Sequence, residues 1–282
     1  MTSPGEPLFC DIELGERIER AEVELVTTGS EAALGREGGA DGFVVPLAGG
    51  VACCTEAGSP LNKVAGLGFH GVPADDALDA VERAFAARGV AVQVELAHLG
   101  DPAVGEALTA RGYRLVGFEN VLGRALRELP EQVAPPGIEV RVSVDSEFDQ
   151  WLDTVVGGFA HPDTQGVASH EEFPRDVLER AVRDLTAAAG MRRYVALVDG
   201  QVAGAASMRV AQGIAQLTGA ATLPAYRRRG VQSALLAARL AEASARGCEL
   251  AVVTTQPASK SQRNTQRRGF TPLYTRAVLV KD

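Results

Sequence analysis

Arg227, Arg228, Arg229 and Gly230 stand between an apolar, strand-like run (214–223) and a long alanine-rich helical run (231–246). A strand that turns tightly and restarts as a helix leaves several backbone N–H groups unpaired and pointing one way, and the helix dipole adds to their positive field. Such a junction holds a small anion. Gly230 lets the backbone approach that anion, and a side chain there would block it. The simpler reading is a solvated basic turn leading into a core helix, and three arginines at one junction favour the anion site over it.

The segment from Leu223 to Leu236 resembles motif A of the GNAT superfamily of N-acetyltransferases, R/Q-x-x-G-x-G/A, with Arg227, Gly230 and Gln232 at the marked positions. Gln232 replaces the usual Gly or Ala. Residues Ser261 to Phe270, ending Arg268-Gly269-Phe270, resemble the last helix of that family. The resemblance runs from about Ile138 to the C-terminus. It implies acetyl-CoA as cosubstrate and transfer of the acetyl group to a primary amine, with a small molecule as acceptor. By the same resemblance, the backbone of Arg228, Arg229, Gly230, Val231, Gln232, Ser233 and Ala234 holds the pyrophosphate, and Ala221, Thr222 and Leu223 pair with the pantetheine arm. An N–H near Leu223 faces the thioester carbonyl, and Asn264 bonds the cofactor. Family strands splay here, and Thr218-Gly219-Ala220-Ala221 supplies the small residues that a bulge tolerates.

The acid and base are less legible. Where many family members carry a tyrosine acid, four residues before the Gly-Phe glycine, this chain has Thr265. Where they often carry a glutamate base, the strand at 213–223 has no acidic residue. Tyr274, His161, Asp163, His170, Glu171 and Glu172 are the remaining candidates, each more simply read as packed or solvated; a relay through water would need none of them. Two further readings stay open. One is a protein that binds coenzyme A or acetyl-CoA without turnover. The other is a nucleotide-binding protein, which the absence of G-x-x-x-x-G-K-[ST] and G-x-G-x-x-G counts against.

The elements that must position these residues fall into two halves. Pro130, Pro135 and Pro136 mark residues 130–137 as a linker, dividing residues 1–129 from residues 138–282. Asp199-Gly200 between two apolar runs is a hairpin signal. Helix, Gly89, strand, helix, Arg111-Gly112-Tyr113, strand in the first half repeats helix, Gly247, strand, helix, Arg268-Gly269-Phe270, strand in the second. The first copy has Gly68-Phe69-His70-Gly71-Val72-Pro73, without arginine, where the second has its basic turn. Two GNAT-like domains follow as the expected fold: α+β, three-layered, each with a mixed, mostly antiparallel sheet flanked by helices, the first without cofactor. Residues 138–282 are expected to bind the cofactor by themselves, if only weakly.

With 282 residues, 46% of them hydrophobic and 23% charged, the chain has the composition of a globular protein of two ordinary domains. A net charge of −8 argues against general nucleic-acid binding. No apolar run reaches a membrane span, and the N-terminus lacks the pattern of a signal peptide, so a cytoplasmic monomer or homodimer is expected. Cys10, Cys53, Cys54 and Cys248 show no C-x-x-C, and the four histidines are scattered, so no metal site is expected.

Overall fold

The computed structural model describes residues 8–37, 41–127, 135–160 and 165–282. The N-terminal half runs α1 (Ile12–Gly35), β1 (Phe43–Leu47), β2 (Gly50–Cys54), β3 (Lys63–Ala65), α2 (Asp75–Ala86), β4 (Val92–Ala97), α3 (Pro102–Ala110) and β5 (Arg114–Ala125). The C-terminal half runs β6 (Ile138–Val142), α4 (Phe148–Ala160), α5 (Arg175–Ala188), β7 (Arg192–Val198), β8 (Gln201–Ala211), β9 (Ile214–Thr222), α6 (Val231–Ala245), β10 (Leu250–Thr255), α7 (Lys260–Gln266) and β11 (Thr271–Lys281). Local chemistry sets many of the boundaries. Asp101 and Ser259 cap α3 and α7 through their side chains. Asp199 and Gly200 both take positive φ, as a two-residue hairpin turn requires. The residue before α2 is Ala74, which offers no side-chain cap; Asp75 and Asp76 lie inside the first turn instead.

All eleven strands join one sheet in the order β1-β2-β3-β4-β11-β5-β10-β9-β8-β7-β6. The sheet is mixed and mostly antiparallel, with parallel pairing at β3–β4 and β9–β10. The expected repeat is visible in it, since each parallel pair is joined by a crossover helix, α2 or α6. The halves are not two separate sheets, however. β5 has both of its neighbours, β10 and β11, in the C-terminal half, and β11 has both of its neighbours, β4 and β5, in the N-terminal half. Each half has therefore placed its last strand in the other. That exchange counts against residues 138–282 standing alone.

Helices cover both faces. On one, α6 packs against Ala206, Met208, Ala215 and Leu217, while α2 and α3 bury Phe85, Val104 and Leu108 against Val94 and Leu279. On the other, α4 buries Trp151 and Val155 against Val195 and Ala205, and α1 packs Ile18 against Val121, Val252 and Tyr274. Helix α1 thus spans the two halves: it also lies along α5, with Ala33 and Ala181 in one cluster.

Candidate functional site

The site is built where β9 and β10 part. Their parallel ladder holds for only three pairs, from Ile214↔Leu250 to Gln216↔Val252. Beyond it the edges diverge. On its other side β9 carries a bulge against β8: Ala205 faces Ala221 and Ser207 faces Thr218, so Gly219 and Ala220 together oppose Ala206. Gly219 takes φ +57°, which the bulge requires.

A bulge frees carbonyls that must be satisfied, and here side chains from both faces do so. Trp151 Nε1 of α4 donates to the Ala206 carbonyl at 3.1 Å. From α6, Arg239 Nη1 donates to the carbonyls of Ser207 (3.0 Å) and Thr218 (3.3 Å). Arg239 is 3% exposed and has no carboxylate partner among the described residues, and burial pulls its pKa down to about 10. We predict that Arg239→Met lowers stability by about 2–4 kcal/mol in denaturant unfolding, because it strands two buried carbonyls. Wild-type stability in that variant would show that the bulge does not need the guanidinium.

The parting opens a cleft of about 310 Å³ that passes through the sheet. On one side it is lined by Gln232 and Leu236 of α6 and by Ser261 and Thr265 of α7. On the other it is lined by Glu22 and Leu25 of α1 and by Phe159 of α4, which is half-exposed. Gln216, Thr218 and Thr254 stand on its walls.

The basic turn opens beside this cleft. Gly230 is the N-cap of α6 in the left-handed region, φ +91°, and Arg228 is held there too, at φ +65°. A non-glycine residue in that region costs about 1–2 kcal/mol, a cost often found where a loop cradles a ligand. The first hydrogen bond inside α6 runs from the Ala234 N–H to the Gly230 carbonyl, so the N–H groups of Val231, Gln232 and Ser233 precede the helix's own ladder. Arg228 and Arg229 are exposed; Arg229 lies over the Tyr226 ring and 3.7 Å from Asp199. Arg227 Nε lies 3.5 Å from the Thr222 carbonyl. Asn264 Nδ2 donates to Gln232 Oε1 at 2.6 Å, tying α7 to the first turn of α6.

One expected detail is corrected. The Leu223 N–H does not face the cleft: it donates to the Ala203 carbonyl of β8 at 3.0 Å. By strand alternation Ala221 also turns its backbone to β8, and Thr222 turns its own away from β8. The backbone edge at the end of β9 that turns away from β8 is therefore carried by Thr222.

The catalytic candidates are not gathered here. Tyr274 is buried elsewhere, its hydroxyl donating to Glu19 at 2.6 Å, and burial with the Glu19 charge beside it holds its pKa well above the usual value. It belongs to a polar network on the α1-covered face of the sheet, where Arg276 meets Glu19 at 2.7 Å and reaches Glu95 at 3.7 Å. Burial, with Glu95 nearby, pushes the Glu119 carboxyl in the same network up to about 7. Glu171 and His170 are both held by Gln93 of β4, at 2.9 Å each, and Glu172 is exposed. His161 and Asp163 lie outside the described residues. Thr265 lines the cleft, but its hydroxyl donates to the carbonyls of Ser261 and Gln262. Glu22, Gln216 and Arg239 were missed in the sequence. Glu22 sits in an amphipathic helix of the other half, and no local pattern separates it from its solvated neighbours.

At the corresponding place in the N-terminal half the cleft is sewn shut. The Asp101 N–H donates to the Gly68 carbonyl at 2.8 Å, and a Cβ on Gly68 would lie 3.0 Å from Gly100 Cα. Asp75 and Asp76 put negative charge at the start of α2, where an anion would be repelled. Among the described residues there is no cluster able to hold a metal, and no helix is long and apolar enough to cross a membrane.

Comparison with known proteins places this geometry. Residues 161–270 match the profile of the acetyltransferase (GNAT) family. No curated protein matches the chain in sequence. Solved structures do match in fold. The GCN5-related N-acetyltransferase from Kribbella flavida has TM-score 0.65 at 21% identity, with 94% of this chain and 95% of that one covered. A tandem GNAT protein from the clavulanic acid biosynthesis pathway has TM-score 0.61 at 12% identity over 98% and 97% of the two chains. The GCN5-related N-acetyltransferase from Sphaerobacter thermophilus has TM-score 0.58 at 15% identity, covering 94% and 93%. The matched profile spans the bulged strand, the glycine-capped helix and the last helix around the cleft, and the chain shares its fold with these GNAT structures.

Proposed function

We propose that this chain transfers an acetyl group from acetyl-CoA to the primary amine of a small molecule. One observation carries the reading: the α6 N-terminus, whose Gln232 lines the cleft, is capped by a left-handed glycine behind three arginines. The N–H groups of Val231, Gln232 and Ser233, with the dipole of α6, suit a pyrophosphate. The end of β9 offers the Thr222 backbone to the pantetheine arm, and the cleft receives the thioester. Acetyl-CoA supplies the activated acyl group. The protein supplies placement, which alone accounts for a large share of such rate enhancements. In this reading residues 138–282 carry the cofactor and the N-terminal half carries none.

A second reading, binding without turnover, is favoured by the Thr265 hydroxyl, which is already donated to backbone carbonyls and replaces a phenolic acid. A thermal-unfolding scan with acetyl-CoA, CoA, ATP and NADH, followed by assay of free thiol with a panel of primary amines, tests both. A ligand at about 100 times its dissociation constant stabilises by roughly 2.7 kcal/mol, a shift of several degrees. We expect a shift with the two CoA species alone and amine-dependent thiol release. A shift without release selects the silent binder, and no shift with either CoA species rejects both readings.

A further inference from the structure

Among the glutamates of helix α1 are Glu16, Glu19, Glu22 and Glu24, and three of these four are ion-paired: Glu16 with Arg20, Glu19 with Arg276 and Glu24 with Arg209. Among the described residues Glu22 has no cation within ion-pair distance, and among them it is the one carboxylate on the wall of the cleft. Its Oε2 accepts from Gln216 Nε2 at 3.3 Å. Gln216 is fixed in turn, because its Oε1 accepts from Arg209 Nη1 at 2.8 Å, and Arg209 is anchored on the Ala21 carbonyl and Glu24. A neutral amide on β9, the strand with no acid of its own, thus holds a carboxylate delivered from the other half. The amide leaves one oxygen of that carboxylate uncommitted and neutralises none of its charge. Leu25 and Phe159 line the cleft on the same side.

We infer that Glu22 is the group that receives the acceptor: it binds the substrate as a primary ammonium and takes the proton that frees the amine, so that the active site is completed by the N-terminal half. The inference rests on the acetyl-transfer reading above. The ammonium gives one proton to the Glu22 carboxylate. The nitrogen lone pair then attacks the acetyl carbonyl carbon, a C–N bond forms, and the C–S bond breaks with its electron pair on sulfur. The second ammonium proton goes to that sulfur, giving the free thiol, and Glu22 returns its proton to water. Arg209 and Gln216 are positioning residues in this scheme.

Binding tests the assignment without any need to know the natural acceptor. S-(2-aminoethyl)-CoA, a thioether that cannot react, carries an ammonium where the attacking amine would stand. By calorimetry the full chain should bind it about tenfold more tightly than CoA. In Glu22→Gln, which keeps the shape and can still accept from Gln216, that preference should disappear while CoA affinity and melting temperature stay unchanged. Equal affinity of the wild type for the two ligands, or a preference that survives in Glu22→Gln, overturns the role of Glu22 but leaves the cofactor site standing. Failure of CoA itself to bind the wild type overturns the acetyl-transfer reading, and the proposal with it.

Discussion

Replacing Gly230 by glutamate will abolish measurable CoA binding, a loss of more than about 100-fold, because it sets a carboxylate where the helix N-terminus would hold a pyrophosphate. The substitution is not free for the fold. Gly230 sits at φ +91°, and a Cβ there would lie 3.0 Å from Pro135 Cγ, so any side chain costs about 1–2 kcal/mol in backbone strain before its charge is felt. Gly230→Ala shares both penalties and adds no charge. Both variants should melt a few degrees below wild type, with the alanine variant retaining weak CoA binding and the glutamate variant none. Calorimetric affinities that are the same in wild type and Gly230→Glu would sink the assignment of this turn.

The isolated C-terminal half, residues 138–282, should not unfold cooperatively. β11 would lose its six register pairs with β4 and nine with β5, and β10 would lose six with β5. At a net 0.5–1.5 kcal/mol per hydrogen bond, those ladders and the side chains packed across them outweigh the 5–15 kcal/mol by which a domain is stable. Without β5, β10 also presents an open edge that invites association between chains. Mixed with residues 1–127, the fragment should recover a single transition and a joint complex, since each half offers the strand the other lacks. A C-terminal fragment that is monomeric, melts cooperatively and binds CoA with full affinity would contradict this. It would mean that β11 re-pairs with β10 once β5 is gone, as the repeat in sequence allows.

The two experiments separate the contributions of the halves. The basic turn is local to one segment, whereas the cleft is made by several. Its walls are β9 and β10, carbonyls of the bulge beside it are satisfied by Trp151 from one face and Arg239 from the other, and α1 lines one side. A change in any of these should move the site without touching Gly230.

Much of this was legible in the chain because it is written in short range. Capping Asp101 and Ser259, the Asp199-Gly200 turn and the glycine before α6 each act over a few residues, where dihedral preference decides the outcome. The bulge at Gly219 could be anticipated for the same reason: small residues tolerate it. The repeat, too, is a sequence property. What the sequence left open is everything settled by partners far apart in the chain. Strand pairing is a choice among backbone edges that look alike, so nothing in β5 or β11 announces that each will cross to the other half. Tyr274 reads as a free tyrosine beside a turn until Glu19, 255 residues away, claims its hydroxyl. Glu22 reads as one more solvated acid on an amphipathic helix until the fold lays that helix over the cleft and leaves it without a cation. The sequence by itself determined the glycine-capped basic turn and the elements around it; the tertiary structure alone decided which side chains share the cleft, because that depends on how two similar halves exchange edges.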